Sequence, residues 1–249
     1  MKNKTRFITS PKNLDSSHHR KTEFVSVVLF SENHGYRMKS YGPVPLITID
    51  GKSLIETQIN AIKSTFANFE IILCSGFETE RTVNFIKEKF CNLNIRIVEN
   101  QVHYNSNCCE SARLCINNTM NNKILVCGGG VLLTPTCLNL IDLNTSMVVY
   151  QNQNDDSNFE VGVVHHENRL EGMSIGVKNQ YWIELLYLSD QKTIQFLYSI
   201  LSNPEYKNRF IFEAINQLPN RHTILVKKNQ NNPIIKVNSL RALKRITNK

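Results

Sequence analysis

The chain has 249 residues, 41% hydrophobic and 20% charged, a globular balance that excludes a wholly disordered or fibrous protein and suffices for one large α/β domain. Its formal charge of +8 suits polyanionic partners, and no apolar run reaches membrane-spanning length. Seven cysteines, an odd number with Cys74, Cys115 and Cys127 set in apolar runs, read as reduced, buried thiols.

The first 23 residues are polar and basic (Lys2, Lys4, Arg6, Lys12, Arg20, Lys21) with no apolar centre. They predict a flexible basic tail ahead of a single domain over 24–249, no signal peptide, and a location in the cytoplasm or in a particle assembled there. A β-branched run predicts the first strand over 24–30. Ser53 then caps a helix whose Ile55, Ile59, Ile62 and Phe66 share a face, and Glu56 completes a capping box. A strand over 70–75, a helix over 79–90, a strand over 95–99, a helix over 108–117 and a strand over 123–127 follow. Four strand-and-helix repeats in order predict a mostly parallel sheet with helices on both faces, a Rossmann-like three-layer α/β/α sandwich.

The second half is less regular. Residues 147–151 and 161–165 read as strands around a polar loop, 168–172 as a turn, 181–201 as a helix broken near Ser189-Asp190, and 209–218 as another helix. Residues 223–227 and 234–237 read as strands, and Asn238 or Ser239 caps a last helix carrying Leu240, Leu243 and Ile246. Cys108-Cys109, His18-His19 and His165-His166 lack metal-ligand spacing. The basic tail and a second group (Lys227, Lys228, Lys236, Arg241, Lys244, Arg245) allow a protein or nucleic-acid assembly to be gripped through the termini, although no aromatic-interleaved basic motif accompanies them.

After Val27-Val28-Leu29 the chain runs Ser31-Glu32-Asn33-His34-Gly35-Tyr36-Arg37-Met38, then Gly42-Pro43-Val44-Pro45-Leu46-Ile47, then Asp50-Gly51-Lys52-Ser53-Leu54-Ile55-Glu56. This resembles the opening of sugar-phosphate nucleotidyltransferases, proteins of the nucleotide-diphospho-sugar transferase fold: a strand, a glycine-rich loop ending in arginine, Pro-Lys-Pro-Leu, and Gly-Lys-Pro-Leu-Ile-Glu. Gly76-Phe77 resembles the family's Gly-Tyr. Glu99-Asn100 with Tyr104, Asn107 and Ser111 resembles its Asn, Tyr, Thr-Asn, Ser segment, 125–133 the strand ending in Gly-Asp, and 234–243 the closing strand and helix.

The resemblance implies a nucleoside triphosphate over the glycine-rich loop, attack on its α-phosphate by a sugar phosphate or phosphorylated alcohol, and magnesium held by carboxylates of the Gly-Asp loop and the closing strand. It carries nucleotide-binding roles to Gly35, Arg37, Gly76, Tyr104, Asn107, Ser111 and Gly129. It also exposes losses. Val44 stands at the lysine of Pro-Lys-Pro, Gly130 at the aspartate of Gly-Asp, and Lys236 and Asn238 at the acids of the closing strand. The metal positions are thus lost at Gly130 and Asn238, Lys236 sets a positive charge where a metal is expected, and no catalytic residue is assigned.

Three readings follow. The first is a catalytically degenerate, nucleotidyltransferase-like protein with a binding, scaffold or assembly role, its partner a nucleotide or sugar phosphate. The second is an active sugar-phosphate or choline-phosphate-type nucleotidyltransferase, or a glycosyltransferase, with a rearranged magnesium site using Asp155, Asp156 or Glu160. The third is a structural component of a larger assembly such as a virion. Only the second calls for a magnesium cofactor.

Overall fold

The computed structural model of the chain describes residues 20–32, 36–152, 158–230 and 233–247. Its first half is β1 (Lys21–Ser31), β2 (Thr48–Ile49), β3 (Lys52–Ser53), α1 (Leu54–Thr65), β4 (Phe66–Ser75), α2 (Thr79–Lys89), β5 (Ile95–Glu99), α3 (Cys108–Ile116) and β6 (Ile124–Cys127). Its second half is α4 (Pro135–Leu138), β7 (Met147–Asn152), β8 (Val161–His166), β9 (Arg169–Ile175), β10 (Gln180–Leu188), α5 (Gln191–Leu201), α6 (Ile211–Ile215), β11 (Leu225–Lys228) and α7 (Leu240–Thr247).

The fold is mixed α/β. Nine strands run in the order β5-β4-β1-β6-β10-β7-β11-β9-β8. From β5 to β6 all neighbours are parallel. Beyond β6 the sheet is not mostly parallel: β10 is antiparallel to β6 and β7, β11 is parallel to β7, and β9 is antiparallel to β11 and β8. Tyr181 of β10 also pairs with Gly162 of β8, so these five strands close into a ring.

Strand β1 is buried on both faces, which is why it reads as an unbroken apolar run. Val25, Val27 and Leu29 pack with Ile55, Ile59 and Ile62 of α1, while Val28 belongs to a second core with Ile72 of β4, Ala112 of α3 and Leu197 of α5. The expected capping box is half formed: the Glu56 amide donates to Ser53 Oγ at 3.2 Å, but the Glu56 carboxylate pairs with Lys89 at 3.0 Å. A third, smaller core joins Met38, Val44, Ile47 and Leu54 to Val237 and Leu243, seating α7 beside the loop after β1.

Four expectations are corrected. Residues 169–175 are a strand rather than a turn, the turn being confined to Glu167 and Asn168, both at positive φ. Residues 180–188 are strand β10 rather than a helix, and only α5, capped by Asp190 accepting from the Thr193 amide at 2.9 Å, is helical. The helix expected over 209–218 shortens to α6. Residues 234–237 form no strand, only an isolated bridge between Lys236 and Val131.

Candidate functional site

A cavity of about 520 Å³ opens at the carboxyl ends of β1 and β6, where ligands gather in open α/β sheets. Ser31 and Glu32 close one side, and Gly128, Gly129 and Gly130 form the floor. Phe159 and Glu160 precede β8, Trp182 and Glu184 come from β10, Phe210 and Phe212 flank the start of α6, and Lys236, Val237 and Asn238 form the last wall.

The closing segment is fixed through backbone groups. The Val237 amide donates to the Gly130 carbonyl at 2.8 Å, the Leu132 amide to Ile235 at 2.9 Å, and the Tyr36 amide to Asn238 at 2.9 Å. Buried Gln151 holds Ile234 from both sides, donating to its carbonyl at 2.9 Å and accepting from its amide at 2.8 Å. Gln58 of α1 donates to the carbonyls of Gly128 and Val131, each at 2.9 Å, and so sets the loop after β6. Residues 130, 236 and 238, far apart in sequence, therefore meet where the floor joins the last wall.

Glu184 is the residue that sequence reasoning missed. Its φ is 58°, in the left-handed region, and it lies where the register of β10 against β7 shifts between Trp182 and Leu185. The Trp182 indole donates to the Leu185 carbonyl at 2.9 Å, and the Gly128 amide donates to the Glu184 carbonyl at 3.2 Å, so both flanks of this bulge are held. The bulge turns the carboxylate into the cavity, where it pairs with the ammonium of Lys236. A Cβ on Gly128 would overlap that carboxylate, so the glycine leaves its space clear.

The charges interact. Burial raises the Glu32 carboxyl to about 7; Ser111 opposes the rise by hydrogen bonding and the charge of Glu184 adds to it. Burial acts to lower the Lys236 ammonium but is outweighed by Glu184, with Glu160 adding to the rise, so Lys236 stays a cation. Cys108 also lines the cavity; burial pushes its thiol up, its sulfur accepts from the Ile211 amide at 3.1 Å, and it is an inert thiol rather than a nucleophile.

Of the residues with expected nucleotide roles, Asn107 and Gly129 line the cavity. Asn107 Oδ1 accepts from the Cys108 amide at 2.8 Å as the cap of α3. Gly129 has a packing reason for its lack of a side chain: a Cβ there would overlap the Phe30 carbonyl of β1. Gly76 likewise clears His103 and Glu32, with a Cβ falling 2.8 Å from the His103 ring and 3.1 Å from Glu32. Ser111 is fully buried beneath the site and accepts from Asn100 at 3.1 Å. Tyr104 is exposed and rests on the His103 ring at 4.0 Å, and Arg37 is exposed with its guanidinium 5.1 Å from the Tyr36 ring centre. Gly35, Asp155 and Asp156 lie outside the described residues.

The residues present do not fit the magnesium that the resemblance implies. The Lys236 ammonium already holds Glu184, Asn238 is neutral, and at Gly130 a side chain would start 2.6 Å from the Val237 carbonyl oxygen. Among the described residues no group of three or more His, Cys, Asp or Glu is arranged to hold a metal ion.

No family model and no curated protein matches the chain by sequence. Its fold does match solved structures. The CTP:phosphocholine cytidylyltransferase from Streptococcus pneumoniae aligns with a TM-score of 0.74 at 17% identity, over 90% of this chain and 98% of that one. The inositol-1-phosphate CTP transferase from T. maritima gives 0.72 at 16%, over 90% and 95%. A UDP-glucose pyrophosphorylase crystallised with UDP-glucose gives 0.70 at 12%, over 91% and 98%. The chain has the nucleotide-diphospho-sugar transferase fold, and no helix among the described residues is long and apolar enough to cross a membrane.

Proposed function

We propose that this protein is a binding member of the nucleotidyltransferase fold, a three-layer scaffold over 24–249 that has given up magnesium-dependent transfer and keeps its cavity for a small ligand or an assembly role in the cytoplasm. The observation that carries this reading is the ion pair between Lys236 and Glu184. A tethered ammonium occupies the carboxylate that a metal would need, at the wall where the resemblance sets the metal ligands. Removing one preorganised electrostatic group commonly costs on the order of 10² to 10³ in rate. Here Gly130, Asn238 and Val44 are each without the charge that the family pattern supplies.

The test is pyrophosphate release from each of the four ribonucleoside triphosphates, with magnesium and with choline phosphate or glucose-1-phosphate as acceptor. The reading predicts no release above background. Sustained, magnesium-dependent release would overturn it.

A second reading, an active transferase with a rearranged site, is favoured by one observation: three carboxylates, Glu32, Glu160 and Glu184, line the cavity. The solved neighbours named as cytidylyltransferases make that chemistry a natural comparison. The same release assay separates the two.

A further inference from the structure

The charges and aromatic walls of the cavity define the ligand it suits. Three carboxylates and one lysine are its only charged lining residues among those described, so it is net negative whether Glu32 is ionised or protonated. Arg37 is not among the lining residues; its exposed guanidinium lies over the ring of Tyr36 at the rim. A triphosphate brought in without a metal would meet like charge in a partly desolvated space.

The cavity already demonstrates how it receives a cation. Glu184 accepts the primary ammonium of Lys236, with each side chain 23% exposed, so the pair is reachable from the cavity. The bulge at Glu184 holds this carboxylate over Gly128, whose missing side chain leaves it room. Above these groups the walls are aromatic: Phe30, Phe159, Trp182 and Phe212. The rim is apolar and open, with Ile175 at 58% and Phe210 at 49% exposure. Aromatic faces favour a cation and its hydrocarbon body alike.

We infer that the cavity takes a small primary amine bearing an apolar or aromatic body, its ammonium exchanging with that of Lys236 on Glu184 and its body lying between Phe159, Trp182 and Phe212. This deepens the binding reading given above and rests on it. The amine donates to the Glu184 carboxylate, and the displaced Lys236 ammonium turns toward Glu160, whose charge it already feels.

The experiment is calorimetric titration of the full chain with 2-phenylethylamine and, separately, with phenylacetate, a carboxylate of similar size and shape. The amine is expected to bind and phenylacetate not to. Glu184→Gln is expected to weaken the amine by at least about tenfold, the scale of one charge-assisted hydrogen bond, and Lys236→Met to tighten it by removing the internal competitor. If Glu184→Gln fails to fold, Phe212→Ala serves in its place, with a several-fold weakening expected. The inference is overturned if no amine binding is seen at millimolar concentration, if phenylacetate binds as tightly, or if neither Glu184→Gln nor Phe212→Ala weakens the amine. Pyrophosphate release in the separate assay would overturn the binding reading itself, so the two failures are distinguishable.

Discussion

Glu184 and Lys236 form an ion pair inside the cavity, the carboxylate turned inward by the left-handed backbone of Glu184 in the middle of β10 and the ammonium supplied by a segment that forms no strand. The pair joins the antiparallel half of the sheet to the wall where the nucleotidyltransferase pattern sets its metal ligands.

Each partner leaves a partly buried charge behind when the other is removed. Lys236→Met and Glu184→Gln are therefore each expected to lower stability by about 1 to 3 kcal/mol, and the double variant by clearly less than the sum. Denaturant unfolding of the four proteins in a double-mutant cycle measures the coupling; strict additivity would mean that the pair does not interact.

The backbone at 184 makes a separate prediction. A φ of 58° suits glycine and disfavours a residue with a Cβ. With the carboxylate lost in both variants, Glu184→Gly should be more stable than Glu184→Ala by about 1 kcal/mol, read from urea midpoints at constant m-value. Equal stability would show that the bulge relaxes without cost.

How far this site could be read from sequence divides at β6. The first half was legible because caps and periodicity agree: Ser53 announces α1, and Ile55, Ile59 and Ile62 mark its buried face. The resemblance also singled out 130, 236 and 238 as related positions, and the fold brings them together. Strand β10 was hidden because Trp182, Ile183, Leu185, Leu186, Tyr187 and Leu188 are buried on both faces between β6 and β7, and an apolar run without alternation does not distinguish strand from helix. Misassigning that segment concealed Glu184, since a bulge that redirects one side chain leaves no periodic signal. A charged residue within the apolar run of 182–188 was the only hint.

Restoring an acid at 130 should not restore a metal site. The first side-chain atom at that position would lie 2.6 Å from the Val237 carbonyl oxygen, so Gly130→Asp must push the closing segment away. Gly129→Ala, whose Cβ would overlap the Phe30 carbonyl of β1, should be harsher still, costing more than about 3 kcal/mol. Thermal unfolding ranks the two, and magnesium titration of Gly130→Asp should show no binding.

Glu32 makes stability depend on pH. Its carboxyl is raised from 4.5 to about 7 in the folded protein, so between those values the folded state holds a proton that the unfolded chain has released. Stability contributed by this group is thus present below about 4.5, falls as pH rises through the window, and is lost above 7, a span on the order of 3 kcal/mol. Cys74 and Cys108, which feel the same charge, keep their protons throughout, and Ser111 and Glu184 tune the midpoint. Glu32→Gln should remove the dependence, gaining stability over the parent at pH 8 but not at pH 4.5, and Glu184→Gln should move the midpoint down.

The most direct measurement is calorimetric titration of the unmodified chain with CTP, repeated with and without magnesium. If the Lys236 ammonium holds the cation position and the carboxylates repel a triphosphate, no micromolar CTP binding appears in either titration. Micromolar CTP binding that appears only when magnesium is present would contradict the account.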